Sequence, residues 1–411
     1  FVDTATTGAV EVTLPAAPSV GDVVGVSDYA KNFKTANCTL NRNSLKIGGV
    51  ALNSILKTNG IAVTLVYVDA TKGWIVTDSG NQSDAPTDLY VAATGGCITT
   101  CGDYKIHTFN SPATFTVTCA GNPSGSTTVD YLVIGGGGGA AAMAGGGGGA
   151  GGYRESSGTA SGCYTIGLPA NSGVAAVSVS ASPGAYPIIV GGGGTATTVP
   201  QGTPADATAG DNSSALGITS QGGGGSVGHG NPAPTSPTDT SFGAGGSGSG
   251  GSAGNPGACG TYIARSGNTP PTTPSQGNDG GTAWNSPGSP AFIAAGGGGA
   301  GACGVPGDTS TYPTTSGNGG AGATSSINAT PTARAGGGGG GAYATPQTRA
   351  NQGAGGTGGG GNGGYYQFPT VAGGDAGGCN TGGGGGGGGR CTDSNGGNGG
   401  SGVVILRYKY Q

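Results

Sequence analysis

The sequence predicts a mainly β protein with almost no α-helix, in which a bundle of polyglycine II helices grows out of a β-scaffold. Three observations predict it: 100 glycines among 411 residues, apolar strands at both borders of the glycine-rich stretch, and alternating apolar and polar residues near the start. So few side chains cannot build an ordinary hydrophobic core. The glycines come in runs at 135–139, 145–149, 191–194, 222–225, 296–299, 336–341, 358–361 and 382–389.

Polyglycine II helices are extended, left-handed helices of about three residues per turn without internal hydrogen bonds. Because glycine has no Cβ, several can lie side by side and pair each N–H with a neighbour's carbonyl, as buried backbone requires. A flexible glycine and serine linker is the competing interpretation. Collagen is excluded, since glycine does not recur at every third position. We expect a bundle at 135–402, with φ near about −75° and ψ near about +145°.

The first part of the chain, residues 1–78, is predicted to be a small β-module. Val10, Val12 and Leu14 alternate with polar residues, as in a half-buried strand. Asn59-Gly60 predicts a two-residue hairpin turn, and Phe1 lies in an expected strand. Further strands are expected at 22–27, 38–41, 45–50, 61–68 and 73–77.

A polar linker is predicted at 79–103, and the scaffold with its inserted bundle at 104–411. The scaffold itself is expected at 104–134, 164–190 and 402–410. Within it, Val174–Val179 and Tyr186–Val190 flank Ser182-Pro183-Gly184 and predict a hairpin. Residues 403–406 are apolar on both faces, which predicts a central, buried strand.

Two stretches resemble a known family. Phe1-Val2-Asp3-Thr4, Gly8–Pro15, Asn32-Phe33 and Gly73–Val76 resemble the small β-modules of bacteriophage tail fibres. Residues 104–410 resemble the glycine-rich domain of phage tail-fibre and tail-tip adhesins, chiefly through Asp130–Gly135, Gly148–Arg154 and Gly399–Tyr408. The resemblance implies an extracellular virion fibre or tail-tip protein, often trimeric, that contacts other tail proteins and has no catalytic residues. The segments at 195–207, 231–241 and 261–275, rich in Pro, Thr and Ser, depart from the pattern, as do the cysteines.

Composition narrows the function classes. Charged residues make up 8% of the chain and the net charge is −4, so no basic surface for nucleic acid is expected. No apolar run approaches the roughly 20 residues of a membrane span, and no signal peptide is visible. The chain starts at Phe1 without a methionine, so we expect further sequence upstream.

No enzyme signature is present in the sequence. His107 lies in an expected strand and is interpreted as structural, and His229 has no acid partner. Neither glutamate, Glu11 or Glu155, has a sequence neighbour suited to acid and base catalysis. The nine cysteines show no zinc spacing, although the 97/101 and 379/391 pairs leave a disulfide open. We therefore predict no catalytic residues, no metal and no cofactor.

Aromatic and arginine residues that interrupt the glycine stretch are the candidates for binding. Such residues carry much of the energy of protein interfaces, and flat aromatic rings stack on sugars. We expect loops to present them to a host-surface receptor, a glycan or an outer-membrane protein. The candidates are Tyr262, Arg265, Trp284, Tyr312, Arg349, Tyr365 and Tyr366. Phe292 and Phe368 are expected to cap the bundle instead.

Three other functions stay open on sequence alone. One is a purely structural filament, fibre or whisker subunit without receptor binding. A second is the glycine-rich ligand-binding ectodomain of a cell-surface receptor, which should carry growth-factor-like cysteine spacing and a membrane span. An ice-binding protein would need a flat repetitive face, which the irregular Pro and Thr segments disfavour.

Overall fold

The computed structural model describes residues 1–81, 88–158, 160, 164–168, 174–198, 206–228, 243–253, 260–285, 292–307, 314–343, 350–367, 370–389 and 394–411. The chain forms two compact units, Phe1–Asp88 and Leu89–Gln411. In the described residues, one single-turn helix accompanies many short strands, so the prediction of a β-rich, almost helix-free fold is confirmed.

The first unit is two three-stranded sheets around one core. Helix α1 (Thr4–Thr7) is capped by the Asp3 carboxylate, which accepts from the Ala5 amide at 2.9 Å. The strands are β1 (Val10–Thr13), β2 (Val23–Ser27), β3 (Cys38–Asn41), β4 (Ser54–Leu56), β5 (Ile61–Asp69) and β6 (Gly73–Asn81). The sheets have the orders β1-β3-β4 and β2-β5-β6, and their shared core centres on Trp74, Phe33 and Leu65.

Three local predictions in this unit are wrong. Residues 45–50 contribute only isolated bridges, from Ile47 to Val50 and to Trp74, and the start of the chain holds α1 after a bridge at Val2. Asn59-Gly60 does not join paired strands, because β4 pairs with β3 while β5 pairs with β2 and β6. Gly60 does adopt a positive φ of 74°, and its amide donates to the buried Asp28 carboxylate at 2.9 Å. This hydrogen bond stabilises the turn, in place of the strand pairing that was expected.

The second unit contains the remaining strands, several of only two or three residues. They are β7 (Val91–Thr94), β8 (Cys97–Cys101), β9 (Tyr104–Phe109), β10 (Ala113–Ala120), β11 (Thr128–Ile134), β12 (Tyr153–Glu155), β13 (Val177–Ser178), β14 (Ala185–Ile188), β15 (Ser213–Ala215), β16 (Ile218–Ser220), β17 (Gly260–Tyr262), β18 (Ala283–Asn285), β19 (Phe292–Ile293), β20 (Thr314–Thr315), β21 (Ala323–Ser325), β22 (Thr332–Arg334), β23 (Ala342–Tyr343), β24 (Ala350–Asn351), β25 (Tyr365–Gln367), β26 (Thr370–Ala372) and β27 (Val403–Lys409).

The predicted linker at 79–103 is wrong where the structure describes it. Strand β6 continues to Asn81, and β7 and β8 belong to the sheets of the second unit. The predicted hairpin at 174–190 is also wrong, because β13 pairs with β11 whereas β14 pairs with β10. The turn itself forms, with Gly184 at φ 71°. Two neighbouring strands in sequence are therefore recruited by different sheets.

The scaffold is one larger sheet covered on both faces. Its strand order is β12-β11-β27-β9-β8, and β13 also pairs with β11. One face packs with the sheet β14-β10-β7 around Phe115, Val133 and Leu406, and the other carries Leu132 and Ile405 against alanines of the glycine-rich region. Strand β27 lies between β11 and β9 and is buried on both faces, so the predicted central strand is confirmed.

The glycine-rich region forms a backbone-paired bundle of three-residue helices. In residues 135–140, successive amides donate in rotation to segments 149–152, 208–211 and 397–400, and each segment is met again three residues later. That rotation is the period of polyglycine II. The carbonyls of 136–141 accept from three further segments, 194–197, 223–226 and 385–388, with all of these N···O distances between 2.8 and 3.2 Å.

An interior helix of this bundle thus has six neighbours. The second helix, residues 145–153, is likewise bonded to six segments, two of which, 221–226 and 382–388, it shares with the first helix. The runs 135–139, 145–149, 336–341 and 383–389 lie wholly within the described residues, and none of their glycines has a positive φ, as the left-handed form requires. The polyglycine II prediction is therefore confirmed for these runs. Gly358, Gly359 and Gly382 have positive φ and form turns instead.

Helices at the rim of the bundle carry one outward residue per turn. Asn395 and Asn398 are exposed, three residues apart, and the glycines between them face inward. The Asn398 side chain accepts a hydrogen bond from the Ala196 amide at 2.7 Å, and Asn318 accepts from the Ala354 amide at 2.8 Å. Rim asparagines therefore satisfy the backbone of the adjacent rim helix.

Candidate functional site

The bundle has two distinct ends. At the scaffold end, β11 leads into Gly135 and Gly402 leads back into β27. At the opposite end, which we call the far end, the Ala141 carbonyl accepts from the Gly388 amide at 2.8 Å and the Ala140 carbonyl accepts from the Thr197 amide at 3.2 Å. The hydrogen-bond register of the other helices then places every short strand at one end or the other.

At the far end, the segments by which the chain leaves and re-enters the bundle pair with each other as short strands. β17 pairs with β18, β20 pairs with β24, and β19-β23-β25-β26 form a four-stranded sheet. Their position follows from bundle contacts: the Ala342 amide donates to the Gly364 carbonyl at 2.9 Å, and Ala294 donates to Gly341 at 3.2 Å. The hairpins β15–β16 and β21–β22 lie at the scaffold end, since their flanking residues bond to segments adjoining β11 and β12. The far end is therefore the place where separate excursions of the chain converge.

Four of the predicted contact residues lie on far-end strands. Tyr262 is opposite Ala283, and Trp284 is opposite Thr261, in the β17–β18 pair. Tyr365, which is partly exposed, is opposite Ala342, and Tyr366 is opposite Tyr343. The topology thus brings two of the predicted groups to one end of the bundle, although they are some 80 to 100 residues apart in sequence.

The other three candidates divide differently. Tyr312 and Arg349 lie outside the described residues. Arg265 is 3% exposed, and its backbone lies in the bundle: the Arg265 amide donates to Ser249 and the Gly280 amide donates to Arg265. The prediction that a loop presents Arg265 is therefore wrong, because its segment has the three-residue pairing of the helices. It is a packing residue.

One aromatic pair that the candidate list omits helps to build the far end. The rings of Phe292 and Tyr343 are 5.7 Å apart, across the β19–β23 pair, and pack on Ala144 and Ala253. Phe292 is 8% exposed, as expected of a residue that caps the bundle. Phe368 lies outside the described residues. The sequence signal for Tyr343 was its place two residues after the end of the run 336–341.

A family model described as a glycine-rich domain matches residues 110–409, most of the chain. The chain belongs to this glycine-rich domain family. A search of curated proteins finds no match.

The glycine-rich domain buries a polar cluster where the scaffold meets the bundle. Glu155 is 1% exposed and accepts from the Tyr153 hydroxyl at 2.9 Å, the Gly167 amide at 2.6 Å and the Ser325 hydroxyl. Burial raises the pKa of Glu155, although these donors act in the opposite direction. Ser325 is 170 residues away in the chain, so sequence spacing gave no sign of this contact. Sealed from solvent, Glu155 holds β12 against the β21–β22 hairpin.

His107 lies in the scaffold core of the glycine-rich domain. It is fully buried, its Nδ1 lies 2.7 Å from the Gly95 carbonyl, and its Nε2 lies 3.1 Å from the Tyr408 hydroxyl. Because a carbonyl only accepts, Nδ1 carries the proton and the Tyr408 hydroxyl donates to Nε2. Desolvation lowers the pKa of His107, so the ring is neutral there. The interpretation of His107 as structural agrees with this environment.

The described part of the chain contains no group of three or more His, Cys, Asp or Glu side chains able to hold a metal ion. Cys97 and Cys101 are both free and exposed, so the disulfide left open for that pair does not form within the chain. Cys379 is free, and Cys391 lies outside the described residues. Among the described residues no helix has the length and apolarity to cross a membrane.

Proposed function

We propose that this protein is a receptor-binding adhesin of a bacteriophage tail fibre or tail tip, and that the far end of the bundle contacts the host surface. The observation that carries the proposal is the convergence of the Tyr262, Trp284, Tyr365 and Tyr366 positions on far-end strands. Family membership supports the glycine-rich part of the proposal. The resemblance of residues 1–78 to tail-fibre modules supports the virion part.

A polyglycine bundle suits this role because its interior presents no side chains to a ligand. Its amides and carbonyls are already paired to neighbouring helices, so recognition has to come from side chains outside the interior. A rigid scaffold that presents variable segments is a common arrangement for binding sites. Aromatic side chains would stack on sugar rings of a surface glycan or fill apolar hollows of an outer-membrane protein.

The experiment is adsorption of the purified protein to host cells after alanine replacement of Tyr262, Trp284, Tyr312, Arg349 and the Tyr365/Tyr366 pair in turn. Loss of one anchoring aromatic from a desolvated contact costs about 2 kcal/mol, close to 30-fold in Kd. Binding is measured with single chains or single oligomers, because many copies on one particle mask individual losses.

The matched control is Tyr29→Ala, which removes a tyrosine that is 71% exposed in the first unit. It should leave adsorption unchanged, and a melting curve should show that every variant is folded. If all far-end variants adsorb like the wild type while changes in residues 1–78 abolish adsorption, the far end is not the receptor site. If the intact protein adsorbs to no host cell and micrographs place it along a shaft, a purely structural subunit is the better assignment.

A further inference from the structure

Strand β8 is an open edge of the scaffold sheet. The strand order ends β27-β9-β8, and no other described strand pairs with β8. All five of its residues, Cys97–Cys101, are exposed, and Ile98 shows 44% of its surface to solvent. The outer N–H and C=O groups of an edge strand are free to pair with a further strand.

The sequence of β8 lacks the features that normally protect an edge. Cys-Ile-Thr-Thr-Cys contains no charge and no proline, and the structure shows no bulge in its pairing with β9. Isoleucine and threonine also favour strands. The other edge, β12, is shorter, and it carries Arg154 and the buried Glu155. Of the two edge strands of this sheet, only β8 consists entirely of exposed, uncharged residues.

Two free thiols stand at the two ends of β8. Cys97 and Cys101 are four residues apart on one strand, about 13 Å at 3.3 Å per residue. Because a disulfide needs Cα atoms within about 7 Å, the two cannot bridge each other. An even spacing does place both on the same face of the strand, together with Thr99.

The β8–β9 hairpin determines which backbone groups face the open side. Its loop is Gly102-Asp103, and the turn hydrogen bond joins Cys101 to Tyr104, so that pair is hydrogen-bonded. Since hydrogen-bonded pairs alternate along an antiparallel ladder, Thr99 and Cys97 also direct their backbone groups to β9. The N–H and C=O groups of Ile98 and Thr100 therefore point outward.

We propose that β8 pairs antiparallel with β8 of a second copy of this chain, about a two-fold axis at Thr99, and that two disulfides join Cys97 of each copy to Cys101 of the other. In this register the outward groups of Ile98 face those of the second copy's Thr100, which forms four hydrogen bonds. It is the antiparallel register that matches both cysteines of one copy with cysteines of the other. The occupant of the edge is thus a copy of the chain itself.

The geometry of such a pairing suits disulfide formation. Cys97 and the second copy's Cys101 form a non-hydrogen-bonded pair, in which Cα atoms are about 4.5 Å apart. That separation lies within the range of disulfides, about 4.4 to 6.8 Å. The two copies of Thr99 face each other between the disulfides, where paired threonines contribute favourably. The β8 edge and its exposed Ile98 are then covered.

Oxidised glutathione is the oxidant in this proposal. A thiolate of one copy attacks a sulfur of oxidised glutathione and releases one glutathione thiol. The opposing cysteine of the second copy then attacks the protein sulfur of the mixed disulfide and releases the second. Each disulfide thus oxidises two protein thiols and reduces one oxidised glutathione to two thiols.

The test is the molecular mass of the full chain with oxidised glutathione and with dithiothreitol, by light scattering and non-reducing gel. The mass should at least double on oxidation, and a cross-linked pair of chains should appear on the gel. Cys97→Ser alone and Cys101→Ser alone should each lose the cross-link, because the remaining thiol faces a serine. An equal mixture of the two variants should recover it, with one disulfide in place of two.

Cys303→Ser and Cys379→Ser are the controls, since both remove exposed free thiols elsewhere and should leave the cross-link intact. Cys97→Ser/Cys101→Ser measures the background from the remaining cysteines. A cross-link that persists in either single variant, or a mixture that fails to recover it, overturns the register. A wild-type chain that keeps its reduced mass on oxidation overturns the pairing altogether.

Discussion

The side chain of His107 makes the stability of the scaffold depend on pH. Its ring stacks on Tyr408 at 5.5 Å and meets Phe115 edge-on at 5.1 Å, and both ring nitrogens are hydrogen-bonded. Protonation would place a charge in this apolar core and put a second N–H against the Tyr408 hydroxyl. The desolvated ring therefore has a lowered pKa, and the nearby charge of Lys105 acts in the same direction.

We predict that acid destabilises the second unit below about pH 6.5. In the unfolded chain the histidine has its ordinary pKa of about 6.5, so it binds a proton at pH values at which the folded chain does not. The contribution to the free energy of unfolding is thus complete above that pH and falls as pH decreases towards the lowered pKa, by at most about 1.4 kcal/mol per pH unit. Urea unfolding between pH 5.5 and 7.5 measures the slope.

The slope should flatten in His107→Gln, even though that variant is less stable at every pH. His229→Gln leaves His107 as the sole histidine and should keep the wild-type slope. Equal slopes in the wild type and His107→Gln would show that another group is responsible.

Among the elements, the glycine helices differ according to how many positions per turn lack a side chain. Unbroken runs such as 336–341 are enclosed on six sides, whereas the repeat at Asn395 and Asn398 has one exposed side chain per turn. This distinction was readable from the sequence. The sequence could not predict which helices are neighbours, because a polyglycine surface has no side-chain pattern to specify a partner. Backbone pairing between segments up to about 260 residues apart fixes it only in three dimensions.

We predict that a single methyl group in an interior helix is severely destabilising. A Cβ at Gly385 would lie 2.0 Å from the Gly397 carbonyl oxygen, and backbone cannot yield as a side chain does. Gly385→Ala should cost more than about 3 kcal/mol, at the upper end of overpacking effects. Gly385→Val should cost still more, and thermal or urea unfolding measures both.

Gly192→Ala is the matched control in another run. Its Cβ would meet only the Asp211 carboxylate, at 3.2 Å, and it gains about 0.4–1 kcal/mol from a less flexible unfolded chain. Its stability should stay within about 1 kcal/mol of the wild type. If Gly385→Ala melts like Gly192→Ala, residue 385 does not lie in a closed interior.

At the level of the whole molecule, the sequence predicted the architecture better than its borders. The β-module, the scaffold strands β9, β11 and β27, and the glycine helices follow from local patterns that survive in the structure. The prediction of a linker at 79–103 failed because the strands β7 and β8 have only four and five residues, and pairing partners outside the segment stabilise them. The interruptions of the glycine runs indicated which aromatic residues lie at the far end. They did not indicate that Arg265 is buried, since its neighbours are far away in the chain.

We predict that the first unit, residues 1–88, is a trimer. It exposes several large apolar side chains, including Leu52 at 69% and Ile55 at 56%, as expected of a surface that is covered in an oligomer. The unit has its own core and can be expressed by itself. Light scattering should give three times the mass of one chain, and sharing a core should make its melting temperature rise with concentration.

Ile55→Asp should reduce the mass to that of a monomer, since it places a charge in the covered surface. Lys34→Asp introduces the same charge at an exposed polar position and should remain trimeric. A stable wild-type monomer at all concentrations would contradict the prediction.

The position of β27 has a consequence for synthesis. This central strand of the scaffold consists of residues 403–409, and both of its neighbours, β9 and β11, emerge from the ribosome some 270 to 300 residues earlier. The helices between them hold no hydrogen bonds of their own, so none is stable before its partners arrive. A chain that stops anywhere before Val403 lacks the strand that joins the sheet, and we expect it to be degraded. Synthesis of β27 is thus the step that completes the scaffold, a built-in check against copies that stop within the glycine-rich stretch.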